Sequence, residues 1–306
     1  MTDSSLALSF RTCGVCGNRG SERFRIDPYI VIQCVSCGFG WTHPLPTKAQ
    51  VHDFYDEGHH PAALDDADNR IHRDRVLRQL RSFGQGGREL LDIGCGFGHY
   101  LEQASKHGYS CTGIEPDEGR SHHARAKGHR VLNGFFDHSQ LGGGQYDAVI
   151  LSHVVEHVPD PLELLTSIKS VLSAQGVLYV ETPNFSSLHA RLMGSRFSHY
   201  CPPEHISYFT PTSLLHAMRV CKFRPLWLGT RTHYLGVKDC LAYLIRMRFL
   251  RPRTQAQCAP PRPRFCEGHY KVLRKALYAV LLSASVTTQP FVDIVGGDAL
   301  MSFWAR

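Results

Sequence analysis

The sequence predicts an α/β protein built on a parallel sheet, led by a small four-cysteine metal ribbon. Three observations carry that prediction. From Glu89 onward, short apolar runs alternate with helical patterns, the signature of parallel strands joined by crossover helices. The stretch LLDIGCGFGHYL, Leu90–Leu101, drives a buried strand straight into a glycine turn and a helix; doubly wound sheets present bare backbone to ligands at such turns. Two Cys-x-x-Cys pairs, Cys13/Cys16 and Cys34/Cys37, stand near the amino terminus with seventeen residues between them, which is the spacing of a four-thiolate zinc site.

The ribbon comes first, over residues 1–44. Gly17 and Gly38 follow the two pairs, where a tight knuckle turns backbone N–H groups toward the thiolates. Four thiolates close the tetrahedron and leave no position for substrate, so the expected Zn2+ is structural. Of the 11 cysteines, the other seven (Cys95, Cys111, Cys201, Cys221, Cys240, Cys258 and Cys266) lack such pairing and read as core or loop thiols. The 306 residues, 42% hydrophobic and 20% charged, suffice for a large core with an appendage. Met1–Phe10 has Asp3 and no basic cluster, and the longest apolar run, Leu277–Val286, is short, about half of the ~20 residues that span a bilayer. A cytoplasmic location is expected, with thiols serving metal or core instead of disulfides. The net charge of +7 invites anionic partners without naming one.

Residues 45–85 form a linker with helices. Pro44 and Pro46 make a hinge, Thr47 is placed to cap a short helix, and a second helix carries Ile71, Val76, Leu77 and Leu80 before stopping at Gly84. The core spans 86–235. Strands are expected at Glu89–Ile93, Ser110–Ile114, Tyr146–Leu151 and Gly176–Glu181, with helices at Tyr100–His107, Glu118–Lys127 and Pro161–Ser173. Asp160, Pro161 and Glu163 give the last helix an N-cap, a first-turn proline and a capping-box acid. After a sixth strand in FRPLWLGT comes a helical basic insertion, 236–290. Its two helix-like runs, Val237–Leu250 and Tyr270–Ser285, carry lysines and arginines from Lys238 to Lys275 against only Asp239 and Glu267. Such a surface suits peripheral membrane contact, an anionic acceptor, or a dimer contact or lid. Residues 291–306 return as a terminal strand in ALMSFWAR.

The glycine turn is Gly94-Cys-Gly96-Phe-Gly98. A dinucleotide fingerprint needs a third glycine where His99 stands, and a P-loop needs Gly-Lys-Ser/Thr, which is absent. What remains is Asp92 at the strand end and Glu115 at the end of CTGIE. Two carboxylates repel a pyrophosphate but suit a sulfonium, an amino group and ribose hydroxyls. With LLDIGCGFG, CTGIEPD, YDAVILSHVVEHVPDP and GVLYVETPN taken together, the sequence resembles the class I S-adenosylmethionine-dependent methyltransferases. Together with the zinc ribbon and PPEHISYFTPTSLLHAMRVCKF, it is similar to bacterial members from glycan and natural-product gene clusters. The resemblance implies a Rossmann-like seven-stranded sheet whose last strand inserts antiparallel beside the sixth. It also implies that Asp92, Gly94 and Gly96 hold the methionine part of the cofactor and Glu115 the ribose. For adenine it offers Asp137, with Phe136 as ring neighbour; a core Phe136 and a solvated Asp137 stand beside that reading.

Methyl transfer to a hydroxyl needs an aligned acceptor and a base, most often histidine. His153, Glu156 and His157 share one face if their stretch is helical, and three readings stand: a metal triad, loop anchors, or substrate contacts. Quinone-pathway O-methyltransferases that look similar carry an acid at the His153 position, where the segment is associated with a divalent ion; two imidazoles favour a softer metal. The second cluster is HYCPPEHISYF, with His199, Tyr200, Glu204, His205 and Tyr208. Glu204-His205 resembles the acid and histidine pair of zinc-containing sugar C-methyltransferases, in which the histidine is taken as base. His205 is therefore the first candidate base, Glu204 its orienting acid and His153 the second candidate. The expected function is O-methylation of a small molecule or glycan unit. Sugar C-methylation and RNA methylation are the alternatives, and a non-catalytic scaffold the third class. No RRM- or KH-type module and no Asn-Pro-Pro-Tyr-like motif supports nucleic acid.

Overall fold

A computed structural model describes residues 12–47, 49–50, 67–231 and 297–306. The basic insertion expected over 236–290, with its possible membrane or acceptor contacts, lies outside the described residues, as does most of the linker before Ala67. Among the described residues no helix is long and apolar enough to cross a membrane.

The ribbon contributes β1 (Gly20–Ile26), β2 (Tyr29–Cys34) and β3 (Gly40–His43). The core then runs α1 (Ala67–Phe83), β4 (Glu89–Ile93), α2 (His99–Lys106), β5 (Ser110–Glu115), α3 (Glu118–Ala126) and β6 (Arg130–Asn133). It continues through β7 (Tyr146–Ser152), α4 (Pro161–Val171), β8 (Leu172–Pro183), α5 (Leu188–Met193), β9 (Ser207–Tyr208), α6 (Pro211–Val220), β10 (Arg224–Arg231) and β11 (Ala299–Ala305). The large sheet has the order β10-β11-β8-β7-β4-β5-β6. β4, β5, β6, β7 and β8 are parallel, and β11 inserts antiparallel to both β8 and β10. This is the seven-stranded, Rossmann-like arrangement that the sequence predicts. The order reverses between β4 and β7, so their carboxyl ends open a crevice there.

Local chemistry explains the boundaries. Asp160 caps α4 by accepting the Glu163 N–H at 2.9 Å, with Pro161 in the first turn. β8 begins at Leu172, four residues ahead of expectation, because Leu172 pairs with Tyr146 across an irregularity in the ladder. The face of α1 also differs from its apolar pattern. Ile71 is 57% exposed, whereas His72 and Arg73 are buried with Val76, Leu77 and Leu80. The helix turns those two polar residues toward the carboxyl edge of the sheet, where His72 meets Glu181 of β8 at 3.1 Å.

The ribbon is packed onto the core. Cys13, Val15, Cys34, Cys37 and Phe39 share one buried cluster with Leu91, Val155, Leu165 and Phe209. Its sheet is completed by a core strand, in the order β1-β2-β3-β9, with Gly40 opposite Tyr208 and Trp41 opposite Ser207. A side chain at position 40 would be crowded, since a Cβ there would stand 3.0 Å from Cβ of Tyr208.

Candidate active site

The turn after β4 exposes backbone at the crevice. Gly94 and Gly96 adopt positive φ of 73° and 53°, a region that favours glycine. At Gly94 a Cβ would meet Val154 at 2.5 Å, while at Gly96 it would meet nothing within 4 Å. The first glycine serves packing and the second leaves open space beside the turn. Glu115 is 4% exposed and accepts the Gly96 N–H at 2.8 Å on one oxygen and the Asp117 N–H at 2.9 Å on the other. Each oxygen has a further lone pair for a ligand hydroxyl. Burial raises the Glu115 carboxyl above its ordinary range, and the two N–H bonds oppose the rise.

Asp92 is 2% exposed, and its Oδ2 is buried without a hydrogen-bond partner, as is the Tyr100 hydroxyl. Burial pushes Asp92 well up, the Glu115 charge adds to this, and Arg73 opposes it. Buried polar atoms without partners are uncommon and costly. A cationic, hydrogen-bonding ligand answers that cost, which fits the amino and sulfonium groups of S-adenosylmethionine. His72, Arg73 and Tyr100 at this edge escaped the sequence reading. Residues 72, 73, 76, 77 and 80 form one helical stripe, and polar residues on a buried stripe were the available signal. Glu181 joins the same edge, accepting from Ser152 at 3.2 Å, Tyr179 at 3.1 Å and His72 at 3.1 Å.

Asp137 is exposed and accepts the Ser139 N–H at 2.9 Å, capping a 3-10 turn over His138–Leu141; Phe136 packs half-buried against the core. The loop residues expected to form an adenine pocket thus have structural contacts of their own.

The segment after β7 is not the helical turn that would align three side chains. His153 sits at φ 55°, its N–H bonded to the Glu181 carbonyl at 2.8 Å, and only Val155–His157 form a 3-10 turn. His153 Nδ1 donates to Glu156 at 3.1 Å, and the other Glu156 oxygen accepts from Thr182 at 3.0 Å. Burial opposes a charged His153, but the Glu156 carboxylate outweighs it and lifts the ring to about 9. His157 points elsewhere: its ring lies 4.8 Å from that of His205, edge to face. Two metal-capable sets share His205, namely Glu156, His157 and His205, and Cys201, Glu204 and His205, each with ligand atoms within 4.8 Å of one another; His153, Glu156 and His157 do not form one.

Both rings of the first set are held alike. His157 Nδ1 donates to the Glu204 carbonyl at 2.9 Å, and His205 Nδ1 to the His199 carbonyl at 2.9 Å. Such bonds fix the tautomer and leave each Nε2 as a lone pair. Burial first, and then neighbouring His157, hold His205 well below the usual imidazole range. Glu204 contributes its carbonyl to His157, and its carboxylate takes the Cys201 thiol at 3.6 Å. The carboxylate that favours a charged His205 is Glu156.

In the ribbon, Cys13 and Cys37 sulfurs stand 3.7 Å apart and Cys16 and Cys34 sulfurs 3.5 Å, all four within 4.8 Å. A tetrahedral Zn–S length of about 2.3 Å sets sulfurs roughly 3.8 Å apart. The Val15 and Ser36 N–H groups point at Cys13 and Cys34 sulfurs at 3.4 Å, and Gly17 and Gly38 adopt φ of 72° and 77°. The four residues fit the ion. A separate concavity lined by Leu80, Arg81, Tyr109, Asp147 and Ser173 opens at the opposite, amino-terminal edge of the sheet and holds none of these residues.

A family model described as a methyltransferase domain matches residues 65–224, over half of the chain. The chain belongs to this family, and its strand order is that of the class I methyltransferase fold. Among curated proteins it is similar to the ubiquinone biosynthesis O-methyltransferase of Haemophilus ducreyi, 32% identical over 123 residues, or 35% of this chain and 50% of that protein. The protein of the same name from Caulobacter sp. strain K31 is 30% identical over 171 residues, covering 52% of this chain and 64% of that one. The chain spans about half the length of the curated relatives it matches. Among solved structures it is similar to a methyltransferase from Archaeoglobus fulgidus, at TM-score 0.49 and 20% identity, over 78% of this chain and 94% of that one.

Proposed function

We propose that this enzyme methylates a hydroxyl of a small molecule or glycan unit, with His205 as general base. The observation that carries the reading is the His205 ring: buried, neutral, tethered at Nδ1 and offering Nε2 beside Glu156 and His157. When bound, S-adenosylmethionine supplies an electrophilic methyl group. Glu115 would hold the ribose, Asp92, Gly94 and Gly96 the methionine part, and Phe136 and Asp137 would be the residues on the adenine side. Nε2 of His205 would take the acceptor's proton, and the Glu156 carboxylate would stabilise the resulting imidazolium. Glu204 positions the neighbouring His157, and His153 completes the Glu156 anchor. The names of the curated relatives support oxygen as the acceptor atom. The four ribbon cysteines hold a structural Zn2+, and the enzyme acts in the cytoplasm.

The test is transfer of labelled methyl from S-adenosylmethionine to a panel of phenols, catechols and nucleotide-linked sugars. His205→Ala should lower turnover about 10²- to 10⁴-fold with cofactor affinity preserved. Wild-type turnover in that variant overturns the base assignment.

The cluster of Glu156, His157 and His205 supports a second reading, in which both Nε2 atoms and the carboxylate bind a divalent ion of the zinc class. Metal analysis separates the two. A second equivalent beyond the ribbon's, lost in both His157→Ala and His205→Ala, favours the ion.

A further inference from the structure

We propose that the ribbon is part of the active-site scaffold, with Thr42 of β3 and Tyr208 of β9 acting as positioning residues that fix His205. The inference rests on His205 facing the acceptor side, and it holds whether that ring serves as base or as ligand.

The His205 segment belongs to the core by sequence, yet its backbone is held from the ribbon as well as from the core. β9 is two residues long, and among the described residues its one strand neighbour is β3. Ile206 bridges two parts of the molecule: its N–H donates to the Glu156 carbonyl at 2.9 Å, and its carbonyl accepts the Thr42 N–H at 2.9 Å. Two hydroxyls then converge on the His205 carbonyl. Tyr208 donates to it at 2.7 Å, and the Thr42 hydroxyl lies 2.8 Å from the Tyr208 oxygen and 3.4 Å from the same carbonyl. The tyrosine has a single proton, and the shorter bond directs it to the carbonyl. Thr42 therefore donates to the Tyr208 oxygen, which orders the chain Thr42 to Tyr208 to His205.

Thr42 is fully buried and Tyr208 is 1% exposed, boxed by Phe185 and Tyr200 at ring separations of 4.6 and 5.2 Å. Valine and phenylalanine keep nearly the shapes of threonine and tyrosine, so Thr42→Val and Tyr208→Phe remove chiefly the hydroxyl hydrogen bonds. What the hydroxyls add is a fixed position for the carbonyl of His205, and with it the imidazole whose Nδ1 is tethered to His199. The same junction extends to the metal knuckle, where Thr210, the N-cap of α6, lies 3.5 Å from the Cys37 carbonyl.

The experiment is exchange of the His205 Nδ1 proton in the full chain labelled with 15N-histidine, the signal being assigned by its loss in His205→Gln. Cofactor affinity is measured on each sample by calorimetry. The wild type should give a slowly exchanging Nδ1–H. Thr42→Val and Tyr208→Phe should each speed exchange about tenfold or more with S-adenosylmethionine affinity kept within about twofold, and Thr42→Ser should restore the slow signal. Three results overturn the proposal: no slow signal in the wild type, the same exchange in both variants as in the wild type, or cofactor affinity falling in step with the faster exchange. The last result would make these hydroxyls general stabilisers of the fold.

Discussion

Glu181 does the most at the scale of single residues, because three side chains from α1, β7 and β8 donate to one buried carboxylate. Burial alone would raise its pKa, but the charge and hydrogen bond of His72, with His153 and Arg231, hold it well below the ordinary glutamate value of 4.5. A depressed carboxylate contributes stability that is present above about 4.5 and lost as pH falls through the folded value. Glu181→Gln should therefore cost on the order of 3 kcal/mol near neutrality and flatten the acid limb of the stability curve. Urea midpoints measured at neutral and acid pH check this; parallel curves for variant and wild type would remove Glu181 from the account. Asp92, Gly94, Gly96 and Glu115 could be proposed from the sequence because the pattern that singles them out is local to two short strand ends. Glu181 and His72 stand more than a hundred residues apart, and nothing in the spacing of either announces the other.

At the scale of elements, the ribbon and the 200s loop form one unit although the sequence presents them as separate motifs. The cysteine pairs, the knuckle glycines and the strand-helix alternation are readable because each is a short-range pattern. The pairing of β3 with β9 is not, since Gly40 and Tyr208 carry no pattern that encodes their register. The same limit explains the segment after β7. An i, i+3, i+4 spacing predicts one shared face, but the left-handed His153 breaks the turn, and His157 finds its partner in a distant loop. Two outcomes follow for the ribbon. Metal analysis should return at least one zinc per chain, and Cys34→Ser should lower hydrogen-exchange protection over β1 to β3 well before that of β4 and β7. A metal-free protein fully protected over the ribbon would contradict the zinc assignment. Gly40→Val should cost roughly 1–3 kcal/mol by crowding Tyr208, seen as a lowered unfolding midpoint.

On the scale of the whole molecule, the sheet order reverses between β4 and β7; Asp92 stands near the carboxyl end of β4 and Glu115 at that of the adjacent β5, while His157 follows β7 and His205 precedes β9. The fold thus brings the Asp92 and Glu115 strand ends and the histidine cluster to one face of the sheet without any local motif that spans them. The net charge of +7 invites anionic partners without naming one, so salt dependence is what separates this reading from RNA methylation. A nucleic-acid enzyme should show a steep fall in RNA affinity with salt, whereas a small-molecule enzyme should bind RNA weakly at any salt. The central claim is that the crevice holds S-adenosylmethionine through Glu115. Its most direct test is calorimetric titration of the full chain and of Glu115→Ala with S-adenosylmethionine and S-adenosylhomocysteine. The account predicts one cofactor per chain for the wild type, and a loss of about 1.5–3 kcal/mol in the variant, or roughly ten- to a hundredfold in affinity. Unchanged affinity in a folded Glu115→Ala protein would contradict it.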